Sequence, residues 1–252
     1  TAEAPVLLSS SAAAKAGDWG GIRVENGSLS LTYAHLSYSG YGISVDNLNG
    51  NGSGLVMANS RLTDSGGGVW LEHLNGAPMM LTDNVIEVAT SGYAVSARYG
   101  YSSPTAAVLS GNTVTNSKGS GVYYYLFYGG ITASSNTVRS FSWGINFDHL
   151  GGQFEVIDND VLSLQGYTQG GGINIYNAGY GDEPTALQVS GNRVEGFEQG
   201  LYISADNRAI TSSITGNTLV GNYQGVYLYL LQGAEITGNT VTGNLNNGVE
   251  LK

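Results

Sequence analysis

The sequence predicts an all-β fold, a three-sided parallel β-solenoid of nine to ten coils, and three observations carry that prediction. A short phrase keeps returning: an Asn followed two residues later by an aliphatic residue and, a few residues on, by Gly-aliphatic-x-aliphatic. It returns at intervals inside the 20 to 50 residue window of solenoids and propellers. Within each unit apolar and polar residues alternate singly, as in a strand with one buried face, rather than every three or four positions as in an amphipathic helix.

The phrase is complete at Gly111-Asn112-Thr113-Val114 ahead of Gly121-Val122, at Ser135-Asn136-Thr137-Val138 ahead of Gly144-Ile145, and at Gly191-Asn192-Arg193-Val194 ahead of Gly200-Leu201. Copies are centred on Asn159, Asn217 and Asn239, with a looser one at Asn84, so successive asparagines stand 28, 24, 23, 33, 25 and 22 residues apart. About 24 residues at about 3.3 Å each make one coil of a triangular solenoid, and coils stack about 4.8 Å apart, so equivalent positions form columns. The Asn column is expected to be buried, each amide bonding its neighbour and the turn backbone at a corner that needs left-handed geometry. Its role is therefore read as structural.

Composition narrows the class. With 252 residues, 41% of them hydrophobic, the chain can fill one continuous core, and 1–252 is read as a single domain. No apolar run reaches half the length of a transmembrane helix and no signal peptide opens the chain, so no membrane span is expected. Nine Lys and Arg against 19 Asp and Glu give a net charge of −10. No segment supplies the cationic track that nucleic acid requires, and that partner is excluded. The absence of cysteine, 39 glycines and the scarcity of charge suit a secreted or cell-surface protein better than a cytosolic enzyme. Residues 1–17 read as one incomplete coil with Val6-Leu7-Leu8 as its strand, and the C-terminus stops on a core strand. The chain is thus expected to be part of a longer exported protein with flanking domains.

From Asp18-Trp19-Gly20-Gly21-Ile22 onward the chain resembles a known group. A Gly-Asp-Trp-Gly-Gly-Ile phrase followed by Asn-x-Val and Gly-Val repeats is similar to the right-handed parallel β-helices of the pectate-lyase-like superfamily. More narrowly it resembles the repeat form shared by carbohydrate-binding proteins, sugar hydrolases and many bacterial surface proteins. The resemblance spans residues 18 to 252 and implies a right-handed coil; the repeats are scaffold, onto which each branch grafts its own site.

Aligning the Gly-aliphatic strands predicts two inward columns. One is Ile43, Val69, Val95, Val122, Ile145, Ile173, Leu201, Val226 and Val249; the other is Val45, Leu71, Ala97, Tyr124, Phe147, Ile175, Ile203, Leu228 and Leu251, with Tyr124 stacked on Phe147. The outward residues of the same strand form Ser44, Trp70, Ser96, Tyr123, Asn146, Asn174, Tyr202, Tyr227, Glu250 and, beside it, Asp46, Glu72, Arg98, Tyr125, Asp148, Tyr176, Ser204, Tyr229, Lys252. A flanking column adds Asn47, His73, Tyr99, Leu126, His149 and Asn177. Seven of the 17 tyrosines fall in these columns. The longest insertions, at 46–54, 98–105 and 176–185, follow this strand and are expected to wall a binding surface, with 162–172 on the other side.

Rings interleaved with amides and carboxylates suit a polysaccharide or cell-surface glycan, because sugar faces stack on rings while hydroxyls bond to polar groups. Candidate ligand-binding residues are Trp70, His73, Tyr99, Tyr123, Tyr125, His149, Tyr176, Tyr202, Tyr227 and Tyr229. The plain alternative is a ladder of tyrosines that only stabilises an exposed sheet. Candidate catalytic residues are Asp46 and Glu72, one coil apart and about 5 Å from each other as a retaining hydrolase needs, together with Arg98 and Asp148. For β-elimination Arg98 would be the base, with His73, Tyr99 and Tyr125 beside it; the resemblance implies Arg or Lys bases, but the surrounding acids do not suit a polyanionic substrate. No cofactor is expected, and no transition metal, since His149 and His73 stand three coils apart, about 14 Å. Asp46-Asn47-Leu48-Asn49-Gly50-Asn51-Gly52 offers oxygens to Ca²⁺ without its regular ligand spacing. His35 is read as a solvated residue on the opposite face. The favoured function is a recognition or adhesion module; a polysaccharide lyase or glycoside hydrolase on the same face, and a structural spacer in a surface fibre, are the alternatives.

Overall fold

The computed structural model describes residues 5–10, 15–46, 54–73, 78–100, 107–127, 129–167, 170–179, 185–205, 210–229, 231 and 233–252. All regular structure among them is β-strand, arranged as three parallel sheets of ten, ten and nine strands. Each coil visits the sheets in turn: Thr113–Asn116 lies in the first, Ser120–Phe127 in the second and Ile131–Ser134 in the third. The terminal strands are short and exposed, so about eight turns close around buried side chains, slightly fewer than the nine to ten expected.

Both predicted inward columns are in register coil by coil from Ile43 and Val45 onward. They are buried through Val226 and Leu228 and exposed only at Val249 and Leu251. Tyr124 does not stack on Phe147 as expected. The rings meet edge-to-face, 5.4 Å apart at 82°, and Tyr124 meets Phe127 in the same manner. A dry core favours the positive edge of one ring against the negative face of the next over a sandwich.

The Asn column is continuous from Asn84 to Asn239. Asn136 shows the pattern: its backbone N–H and its side-chain amide both donate to Asn159 Oδ1, at 3.0 and 2.9 Å, and the amide also donates to the Leu109 carbonyl at 2.8 Å. Its own Oδ1 accepts the backbone N–H and side-chain amide of Asn112, both at 3.0 Å. The left-handed geometry falls on the residue before each Asn, as at Asp83, Ser135 and Asp158 with φ of 54°. A second corner, entering the second sheet, belongs to glycine: a Cβ on Gly144 would stand 2.4 Å from the Gly172 carbonyl oxygen and one on Gly121 2.5 Å from that of Gly144. At these positions the close approach of the next coil leaves no room for a Cβ; Ala94, buried in the same column between Gly68 and Gly121, is the one member with a side chain.

Asn136→Ala strips partners from the buried Asn112 N–H and Leu109 carbonyl, at roughly 1–3 kcal/mol each when left unpaired, and leaves the Asn112 amide only the Leu81 and Ser110 carbonyls. We predict a loss of about 3–5 kcal/mol in urea unfolding. Asn239→Ala, at the part-buried end of the ladder, should cost less than half as much.

Candidate functional site

The outer face of the second sheet gathers the predicted residues. Asp46, Glu72, Arg98, Tyr125, Asp148 and Tyr176 pair successively as one column. Ser44, Trp70, Ser96, Tyr123, Asn146, Asn174, Tyr202 and Tyr227 form the column beside it. At the strand ends His73, Tyr99, Leu126, His149 and Asn177 all take the left-handed conformation, with φ between 53° and 62°. This is costly for residues other than Gly, and it turns their side chains back along the face.

At one end of the face the Arg98 guanidinium lies between two rings, 4.8 Å from the Trp70 centroid and 5.5 Å from that of Tyr123. Tyr123 in turn stacks on Tyr93 at 4.5 Å and lies 6.2 Å from Tyr125. Arg98 is thus held as a cation over aromatic faces. At the other end Tyr176, Tyr202 and Tyr227 follow one another at 4.6 and 5.1 Å, closed by the Lys252 ammonium over Tyr227. The expected step from Tyr176 to Ser204 is broken by a register shift between Ile175 and Ala178. That irregularity sets Tyr176 against Tyr202, while Ser204 pairs onward with Tyr229.

Between the two aromatic groups lies a polar break. Asp148 Oδ1 accepts from His149 Nδ1 at 2.7 Å and from the Asn177 amide at 3.1 Å, and the His149 ring meets Tyr125 edge-on. Beneath it Asn146 and Asn174 are buried, and Asn146 Oδ1 and both polar atoms of the Asn174 amide find no protein partner. Burial, reinforced by the nearby Asp148 carboxylate, pushes the Tyr123 hydroxyl up to about 12; burial also raises Tyr176, with Tyr202 and Asp148 adding to it.

Of the catalytic candidates, Asp46 and Glu72 are brought together, whereas Asp148 stands three coils from Glu72, about 14 Å away. The structure adds His73 to the first pair. Its Nδ1 is 3.1 Å from Asp46 Oδ1, and donor atoms of Asp46, Glu72 and His73 all lie within 4.8 Å of one another. Searching for a second histidine misses this group, because a turned-back imidazole needs only the carboxylates of neighbouring coils. His73 also stacks on Tyr99 at 5.3 Å. Tyr41, Tyr93 and Trp143 were missed as well; each stands three residues before a first outward-column position, a place that Gly67 and Gly171 blur. His35 lies on the first sheet, its Nε2 3.1 Å from Thr63 Oγ1. The projected loop walls and the Ca²⁺-friendly segment fall largely on 47–53, 101–106 and 180–184, outside the described residues.

Residues 155–252 match the family described as periplasmic copper-binding protein (NosD). No curated protein and no solved structure matches the chain. With repeats, register and family match in agreement, the coil class is decided. The chain is a right-handed parallel β-helix repeat protein.

The matched part of the β-helix covers 98 of 252 residues and contains no His, Cys or Met. Copper is held by soft thiolate or thioether donors or by imidazoles, and none stands there. Elsewhere Met57 and Met79 are buried in the core, and Met80 is exposed on the third sheet. The Asp46–Glu72–His73 group, outside the match, offers one imidazole and two carboxylates, an N,O donor set without sulfur. The matched segment itself therefore supplies no thiolate, thioether or imidazole to copper. Among the described residues no helix is long and apolar enough to cross a membrane.

The raised tyrosines set a pH dependence. An unfolded tyrosine ionises near 10, whereas folded Tyr123 holds its proton to about 12. The folded state therefore loses stability as pH rises from about 10 through 12 and is indifferent to these groups below that window. Thermal melts across this range should show that fall, and Tyr123→Phe with Tyr176→Phe should move the alkaline transition to higher pH.

Proposed function

We propose that the chain is an exported β-helix that recognises polysaccharide on the outer face of its second sheet. The observation that carries this reading is the Asp148–His149–Asn177 network set between Tyr125 on one side and Tyr176 on the other. Rings offer flat apolar surface to the C–H face of a sugar, and a fixed carboxylate, amide and imidazole offer directed bonds to its hydroxyls. The acidic chain argues for a neutral rather than an anionic glycan. A location outside the cytoplasm is supported by the periplasmic description of the family matched over 155–252, and by the cysteine-free, glycine-rich composition. The mutual stacking of Tyr176, Tyr202 and Tyr227 would also serve a structural spacer, and binding separates the two roles.

Affinity electrophoresis through gels containing neutral soluble polysaccharides tests the proposal. Wild type should be retarded by at least one of them. Tyr125→Ala/Tyr176→Ala, confirmed folded by its melting curve, should run as in a plain gel. Wild-type migration unchanged in every gel would refute the reading.

A further inference from the structure

Beyond the central network the same face carries a second, concave feature. A cavity of about 490 Å³ opens at the Ser44 level, between Trp70 of the following coil and Arg23 of the preceding one. Tyr41 and the Gly20–Gly21 backbone wall it, and Ile22 and Ser44 also line it. Its size lies in the range of small-molecule sites, about 300–1,000 Å³.

The stacking pattern makes this position different from the rest of the face. Tyr123, Tyr202 and Tyr227 each have a neighbouring ring or cation against them. Trp70 carries the Arg98 guanidinium over it from the coil beyond, and its ring borders the cavity on the Ser44 side. Trp70 is 40% exposed and Tyr41 77%, so two large rings line one notch without packing into the core. Among the described residues the only charged side chain lining it, Arg23, is already paired with Glu25 at 2.7 Å. Gly20 leaves the wall open: a Cβ there would meet nothing nearer than Tyr41 Cδ2 at 4.0 Å.

We propose that this notch is a subsite for one pyranose ring of a neutral glycan, stacked on Trp70 and flanked by Tyr41. Its hydroxyls reach the Ser44 hydroxyl and the outer N–H groups of Arg23. An anionic sugar is disfavoured because Arg23 is neutralised by Glu25 and the adjoining column begins with Asp46 and Glu72. The inference rests on the polysaccharide reading but concerns different residues, the Ser44 level standing four coils from Asp148, so the two fail separately.

The test is a titration of the full chain with cellohexaose, xylohexaose, mannohexaose and chitohexaose, followed by the indole N–H resonances of Trp19, Trp70 and Trp143. Trp70 should shift saturably with at least one sugar, while Trp19, whose Nε1 donates to the Ser37 carbonyl at 2.7 Å, stays fixed. Trp70→Ala should weaken binding about tenfold, the scale of one aromatic stacking contact. Gly20→Leu fills the notch without a positive φ to strain; it should abolish the Trp70 shift and leave the melting temperature unchanged. Tyr125→Ala/Tyr176→Ala should retain the Trp70 shift. A sugar that binds without moving Trp70, or that binds Gly20→Leu as tightly as wild type, overturns the subsite and leaves the central reading standing. No response to any sugar overturns the subsite, and if the polysaccharide gels are also silent the broader reading falls with it.

Discussion

From Asn84 to Asn239 each coil is fixed to the next by the side-chain amides of one asparagine column, which Ser60 extends toward the first coils, and the arrangement of the outer face depends on that registration. An Asn amide has two donor hydrogens and an acceptor oxygen with two lone pairs. In this column nearly all are used, between the two neighbouring Asn residues and a carbonyl of the previous coil. A polar residue buried at a corner would otherwise cost stability; here it sets the height of the strands from Asn84 to Asn239. With the heights fixed, the Val, Ile and Leu columns fall into line and the outer residues stack at one coil spacing. The glycine corner contributes the complementary constraint, admitting the chain where the coils approach too closely for most side chains, with Ala94 as its one substituted position.

The aromatic face follows from this regularity. Rings one coil apart on a parallel sheet are held at about the distance at which they stack, so tyrosine columns bind to themselves, and a purely repetitive face would have no free ring surface. Interruptions create the chemistry. The polar positions Asn146, Asp148 and Asn174 divide the rings into two groups, and the small Ser44 leaves the Trp70 ring bordering an opening. The register shift after Ile175 tilts Tyr176 onto Tyr202 and leaves it beside Asp148.

Whatever depends only on the repeat period was legible in the sequence. The Asn column, both core columns and the order of Trp70, Tyr123, Asp148 and Tyr176 along the face follow from counting residues between glycines. Features set by local backbone were not. His73 joins Asp46 and Glu72 through a left-handed turn that alternation does not reveal, and the bulge beside Tyr176 breaks a column that residue counting continues. Tyr41, Tyr93 and Trp143 were hidden because their column is broken by glycine and serine, so it does not stand out as aromatic. Tyr124 and Phe147 were placed correctly, but their edge-to-face contact is set by three-dimensional packing that spacing does not encode.

Tyrosine footprinting by nitration and mass spectrometry, with and without a retarding neutral polysaccharide, addresses the central claim most directly because tyrosines cover several sides of the molecule. Protection of Tyr125, Tyr176 and Tyr202, with Tyr33 and Tyr38 at the other corners unchanged, is the result the account predicts. Equal modification of all of these in the presence and absence of polysaccharide, or protection confined to Tyr33 and Tyr38, would contradict it.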